Sequence, residues 1–225
     1  MKTIIIGAGG HARVILDILN HDRNIDVVAF VDNIIPNSPE KIMGIPVYGD
    51  HSVLPELFKS GVKAAIIGVG KNNTRKAYFE QIMNMGVEMV NAIHPTANIT
   101  HNVKIGKGVV IAANATIATS AEIGDNIIIN TGAIVEHEDV LEAHVHIASG
   151  TVLAGRVKVK EGAFIGSGSV VKEYVTIGRN AIIGAGSVVL EDIPANAVAV
   201  GAPAKVIRIA AENINRWELK YDPSC

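Results

Sequence analysis

From Ile99 onward the chain repeats. Steps of six land on Ile105, Ile111, Ile117, Ile123, Ile129, Val135, Leu141, Ile147, Leu153, Val159, Ile165, Val171, Ile177, Ile183 and Val189, and all sixteen positions are aliphatic. Two residues before many of them sits a small side chain, as at Ala115, Ala121, Ala133, Ala163, Ser169, Ala181 and Ser187. Glycine often follows, at Gly106, Gly124, Gly166, Gly178 and Gly184. A period of six is neither the 3.6 of a helix nor the alternation of a strand. It fits a short strand followed by a sharp corner. Three units make one triangular coil, so residues 99–189 predict about five coils of parallel β-helix, rising about 4.8 Å each. A β-sandwich does not hold one register over this length.

Before residue 93 the pattern changes. Lys2–Ile6 reads as a buried strand, Gly7-Ala8-Gly9-Gly10-His11-Ala12 as a glycine-rich turn, and 12–20 as a helix with Val14, Ile15, Ile18 and Leu19 on one face. Strands are expected at 27–31, 45–48, 64–69 and 88–93, with a helix running to about Met85. Alternating strands and helices predict a small parallel α/β domain. The join falls near Ile93-His94-Pro95, because proline ends regular structure. The expected organisation is therefore an α/β domain at 1–92, a β-helix at 93–209 and a tail at 210–225, with Trp217 and Tyr221 in a short helix or a mobile end.

Composition narrows the classes. Apolar residues make up 48% and charged residues 19%, a globular balance. A formal charge of −2, with the basic residues scattered, offers no nucleic-acid or anionic-membrane surface. Cys225 is the single cysteine, so no disulfide forms within the chain, and the expected setting is cytoplasmic. No apolar run approaches the roughly 18 residues of a membrane span. The aromatic share is 4%, which suits a narrow interior filled by Ile and Val.

Two places carry chemistry. Gly7-x-Gly9-x-x-Ala12, with Asp32 after the second strand, matches a dinucleotide fingerprint, in which backbone N–H groups at a helix start approach phosphates. The domain is short for a full dinucleotide fold. A nucleotide-sugar is the favoured ligand, ahead of NAD or a bare structural turn. The second place is the cluster His137, His144 and His146. Asp139 beside it fills a slot that is elsewhere small and uncharged. One class of carbonic anhydrase shares such a repeat and binds zinc through two histidines two coils apart and a third five residues later. His101 and His137 have the first spacing, but Glu142 stands where the third histidine belongs. No metal is expected. A general base suits His137 better, with Glu138 or Asp139 fixing its tautomer.

These residues carry a family resemblance. Gly7–His11, Ile93-His94-Pro95, the six-residue run, Glu136-His137-Glu138 and Gly201-Ala202-Pro203-Ala204-Lys205 together resemble bacterial hexapeptide acyltransferases of amino-sugars, the sialic acid O-acetyltransferase-like group. The chain looks most like N-acetyltransferases of UDP- or GDP-linked 4-amino-6-deoxy sugars, including that of bacillosamine biosynthesis. The resemblance implies a left-handed β-helix, acetyl-CoA as cosubstrate, and a homotrimer with active sites between subunits. It implies that His137 deprotonates the sugar's 4-amino group and that Glu138 increases its basicity. His146 would contact acetyl-CoA from the adjoining subunit, Gly155 would present a backbone N–H to the thioester oxygen, and Ser167 and Ala185 would line the CoA channel. Gly9, Gly10, His11 and Asp32 would hold the nucleotide-sugar, with Gly70 near the same site. Asn33 departs from relatives that have a second acidic residue there, which bears on the choice of UDP over GDP or dTDP. O-acetylation of a sugar such as sialic acid, or of serine, and a non-catalytic nucleotide-sensing trimer are the alternatives.

Overall fold

The computed structural model describes residues 1–32, 41–49 and 51–209. Asn33 and the tail with Trp217, Tyr221 and Cys225 lie outside the described residues.

The first domain is a six-stranded sheet. Its strands are β1 (Lys2–Ile6), β2 (Asp26–Val31), β3 (Lys41–Ile42), β4 (Ile45–Tyr48), β5 (Ala64–Ile67) and β6 (Glu88–Met89), in the order β3-β4-β2-β1-β5-β6. All pairs are parallel except β3 with β4 at one edge. The strand at 41–42 and a short helix α2 (Leu54–Lys59) were not anticipated, because neither has a long enough periodic run to register. Ile4, Ile5 and Ile6 are all fully buried, which suits a central parallel strand covered on both faces. Ile5, Phe30 and Ile66 face helix α1 (Gly10–Leu19), while Ile4, Ile6 and Ile67 face Phe79 and Ile82 of helix α3 (Asn72–Asn84).

Two boundaries differ from the sequence reading. α1 starts at Gly10 rather than residue 12, because Gly9, in extended conformation, serves as its N-cap. The strand expected over 88–93 is two strands in different sheets. Glu88–Met89 pairs with β5, whereas Ala92–Ile93 pairs with Val110–Ile111 of the next domain. Asn91 makes the switch: its side chain donates to Gly106 O at 2.9 Å and accepts from the Val109 N–H at 2.9 Å.

The second domain is the β-helix, a three-sided prism. Its first face contains Ala92–Ile93, Val110–Ile111, Ile128–Ile129, His146–Ile147, Phe164–Ile165, Ile182–Ile183 and Ala197–Gly201. The second face runs from Asn98–Ile99 to Val188–Val189, and the third from Lys104–Ile105 to Thr176–Ile177. Successive coils pair in parallel at a fixed offset, as in Ile111 with Ile129 and Ile129 with Ile147. The aliphatic row points inward and forms one continuous core from Val109 to Ala199. A hairpin of Ala197–Gly201 with Ala204–Ile209 closes the far end.

The prism's outward-facing side chains fix where the α/β domain sits. Ala92, Val110, Ala112 and Ile128 belong to the first face yet are buried, because Ile15, Ile18 and Leu19 of α1 pack on them. The α/β domain therefore rides on the first face. The corner between the second and third faces lies opposite it.

Candidate active site

Two groups of functional side chains emerge, at different places. The first lies where the α/β domain meets the first face. The strand order reverses at β1, which has β2 on one side and β5 on the other, and clefts form beyond the carboxyl ends of strands at such a switch point. A cavity of about 570 Å³ opens there. It is lined by the predicted Gly9, Gly10, His11, Asp32 and Gly70, together with His51, Tyr78, Asn130 and His146.

Local packing explains the glycine pattern. Gly7 has φ +106°, and a methyl group there would lie 2.9 Å from Val69 Cγ2. Ala12 at the third fingerprint position packs against Gly68, where an added methyl would stand 2.7 Å from Ala12 Cβ. Helix and strand thus touch closely. Gly9 and Gly10 differ: nothing lies within 4 Å of a methyl at either, so the protein's own packing does not require glycine there. Asp32 accepts the Ala8 N–H at 2.7 Å and so shapes the loop. Burial, and secondarily the Asp32 charge, raises the Tyr78 hydroxyl pKa.

The cavity's two walls are fastened together by Arg75, a buried residue of α3. Its guanidinium donates to Asn126 O at 3.1 Å, His144 O at 2.8 Å and Val145 O at 3.2 Å in the β-helix, and to Asn72 Oδ1 at 2.9 Å and Gly70 O at 3.4 Å. Asn72 adds bonds to Gly162 O and Ala163 O, and Lys76 pairs with Glu161. Gly70 and His146 are thereby held face to face, with His146 Nδ1 3.4 Å from Gly70 O. Arg75 carried no signal in the sequence, since a lone arginine in a helix reads as surface.

The second group occupies the corner opposite the α/β domain. His137 is half exposed, and its Nδ1 stands 3.1 Å from Glu138 Oε2. Of the two carboxylates that the sequence offered, Glu138 touches the imidazole and Asp139 does not. Glu138 also accepts from Arg156, at 2.9 Å, and Arg156 donates to the Tyr174 hydroxyl at 2.7 Å. First Arg156 and then His137 lower the Glu138 pKa, so the carboxylate persists to lower pH. Glu138, Arg156 and Tyr174 are stacked one coil apart, each with φ between 61° and 64°. That left-handed conformation falls to asparagine or glycine at many other corners of the prism, and costs other side chains more.

Gly155 lies beneath His137. A methyl there would come within 2.5 Å of His137 Nε2, so the ring rests on the glycine backbone. Asp139 is fully buried in the same turn. The three clustered histidines thus separate. His137 stands at the corner and His146 in the cavity. His144 is buried against Asn126 and Phe79, its pKa lowered to about 4 by burial and then by Arg75. Ser167 and Ala185 stack on another corner, between the first and second faces.

Among the described residues, Asp17, His21 and His94 bring potential ligand atoms within 4.8 Å of one another. The sequence reading missed this group because it bridges the two domains. His94 Nδ1 lies 3.1 Å from the Thr96 N–H and 2.8 Å from the Thr96 hydroxyl, so this nitrogen is already engaged within its own loop.

A glycine-lined cavity at an α/β switch point, joined to a hexapeptide β-helix with a histidine–carboxylate pair, defines a two-module enzyme of the transferase type. Comparison with known proteins agrees. Residues 2–82 match the PglD N-terminal domain, 102–136 the hexapeptide repeat of succinyl-transferase, and 156–191 the bacterial transferase hexapeptide. A variant of the GDP-perosamine N-acetyl transferase of Caulobacter crescentus, in complex with CoA and GDP-perosamine, is 38% identical. It superposes with a TM-score of 0.86 over 92% of this chain and 96% of that one. The acetyltransferase domain of PglB from Neisseria gonorrhoeae, in complex with acetyl coenzyme A, is 31% identical, with a TM-score of 0.85 over 92% and 98%. The UDP-N-acetylbacillosamine N-acetyltransferase of Bacillus subtilis is 35% identical over 119 residues, and the matched region spans about half of each chain. The chain belongs to the family of hexapeptide-repeat acetyltransferases that join a PglD N-terminal domain to a β-helix.

Proposed function

We propose that this protein transfers the acetyl group of acetyl-CoA to the 4-amino group of a nucleotide-linked 4-amino-6-deoxy sugar. The nucleotide-sugar fills the cavity between the glycine loop and His146. His137 is the general base. With Nδ1–H donated to Glu138, the Nε2 lone pair faces outward over Gly155 and takes a proton from the sugar ammonium. The amine nitrogen then bonds to the thioester carbon and gives up its second surplus proton to solvent. The C–S bond breaks, and the imidazolium returns its proton to the CoA thiolate. No acyl-enzyme forms. Among the described residues no backbone acceptor takes the Gly155 N–H, so this donor is available to the tetrahedral oxyanion.

One observation carries the assembly. The cavity lies on the first face and His137 on the opposite corner of the same prism. A single chain therefore holds two half-sites that cannot serve each other. A second copy completes each site, which supports the homotrimer, with acetyl-CoA in the seam between copies.

Thiol release from acetyl-CoA, with UDP-, GDP- and dTDP-linked 4-amino-6-deoxy sugars in parallel, tests the reading. Rapid release with one of them, UDP being the first expectation, supports it. Silence with all three, from folded protein, favours O-acetylation or a nucleotide-binding module without catalysis.

A further inference from the structure

We infer that Asp139 is a positioning residue: its buried carboxyl group fastens the turn that carries His137 to the turn that carries Gly155 and so sets where the imidazole sits. The inference rests on the reading of His137 as the base.

The observation is a missing rung. On the second face, the residue after each inward aliphatic donates its N–H to the carbonyl of the next coil. Thr100 does so to Ile117 O, Ala118 to Val135 O, Ala154 to Val171 O and Lys172 to Val189 O, all between 2.8 and 3.0 Å. Glu136 is the exception. Its N–H goes to Asp139 Oδ2 at 3.0 Å instead of to Leu153. Oδ1 of the same carboxylate accepts the Val157 N–H at 2.7 Å. Asp139 thus closes the 136–139 turn and ties it to 154–157, with one oxygen for each task. His137 and Glu138 lie inside the first loop, and Gly155 and Arg156 inside the second.

The slot itself argues against a purely structural purpose. The residues stacked with Asp139 are Val103, Ala121, Val157 and Val175, all apolar. Asp139 is as buried as its neighbour Ala121, with an accessibility of 0%. Burial pushes its carboxyl up to about 8 against the pull of two N–H donors. A buried carboxyl is therefore a poorer contributor to coil stability than the alanine one coil away. Alanine would also allow the Glu136–Leu153 rung to form. What the carboxyl group adds, through its two bonds, is a fixed spacing between the imidazole and the glycine it rests on.

The test is steady-state kinetics and thermal unfolding of Asp139→Ala and Asp139→Asn in the full-length oligomer, beside His137→Ala. A small misplacement of a catalytic group costs up to about 100-fold. Asp139→Ala should therefore lower kcat by roughly 10- to 100-fold, with KM for both substrates and Tm held or raised. Asp139→Asn keeps one acceptor and should recover part of the loss. Wild-type kcat in both variants overturns the inference, as does a fall of Tm in step with kcat, which a merely structural residue would produce. If His137→Ala is silent while Asp139→Ala is fully active, the positioning role alone fails. If His137→Ala turns over normally, the base assignment fails and takes this inference with it.

Discussion

The cavity and the His137 corner are built by opposite means. The cavity under the α/β domain is held by buried groups: Arg75 reaches three β-helix carbonyls across the domain junction and two oxygens of its own domain, and α1 seals Val110 and Ile128 beneath it. The His137 corner is held by an exposed ladder of Glu138, Arg156 and Tyr174, one rung per coil. Buried hydrogen bonds in a low-dielectric setting fix geometry strongly, whereas exposed ion pairs are weak and screened by salt. The difference teaches that the cavity is shaped before anything binds. The corner depends on its backbone, namely Gly155 under the ring and Asp139 under the turn, more than on its charges.

That contrast can be broken from the corner side, and the expected effects fall in order. His137→Ala should lower kcat by about 10²- to 10⁴-fold, the usual span for a general base, with the oligomer and Tm unchanged. A kcat near wild type would remove the base from the scheme. Gly155→Ala comes next. Its methyl would stand 2.5 Å from Nε2 and push the ring away, for a loss of up to about 100-fold with KM little changed. A fully active Gly155→Ala would show that the ring does not work from this position.

Arg156→Met should have the smallest effect. Glu138 has a depressed pKa, so its carboxylate survives to lower pH while Arg156 is present. Removing Arg156 lets Glu138 take up a proton at higher pH. The acid limb of the pH–rate profile should then move upward, with kcat at neutral pH nearly kept. An unmoved limb would mean that Arg156 serves only the surface.

How much was legible follows the same divide. The β-helix could be read from one aliphatic row, because a six-residue period admits few other folds and its burial is uniform. The glycine loop, Asp32 and Gly70 were legible because a strand, a turn and a helix start occur in order. His137 stood out, but its partner did not: Glu138 and Asp139 are adjacent in sequence, and only the left-handed turn at Glu138 sends one outward and one inward. The Glu138–Arg156–Tyr174 ladder was within reach, since residues eighteen apart stack once the coil length is known. Arg75 was not, because its role comes from the packing of one domain on the other, and His51 and Tyr78 were not, because only the folded α/β domain stacks their rings together at the cavity. The split of 88–93 between two sheets escaped for a like reason, as it is set by Asn91 bonding to Gly106 and Val109.

The central claim is that one copy's cavity works with another copy's His137. Subunit complementation tests it most directly. His137→Ala subunits keep the cavity, and Gly9→Phe subunits keep the base, since Gly9 lines the cavity and a Cβ there has no protein atom within 4 Å. Each variant alone should be inactive in the acetyl-CoA thiol-release assay. Oligomers shown to contain both should recover turnover, because some seams then pair an intact cavity with an intact His137. Mixed oligomers that stay silent would contradict the account.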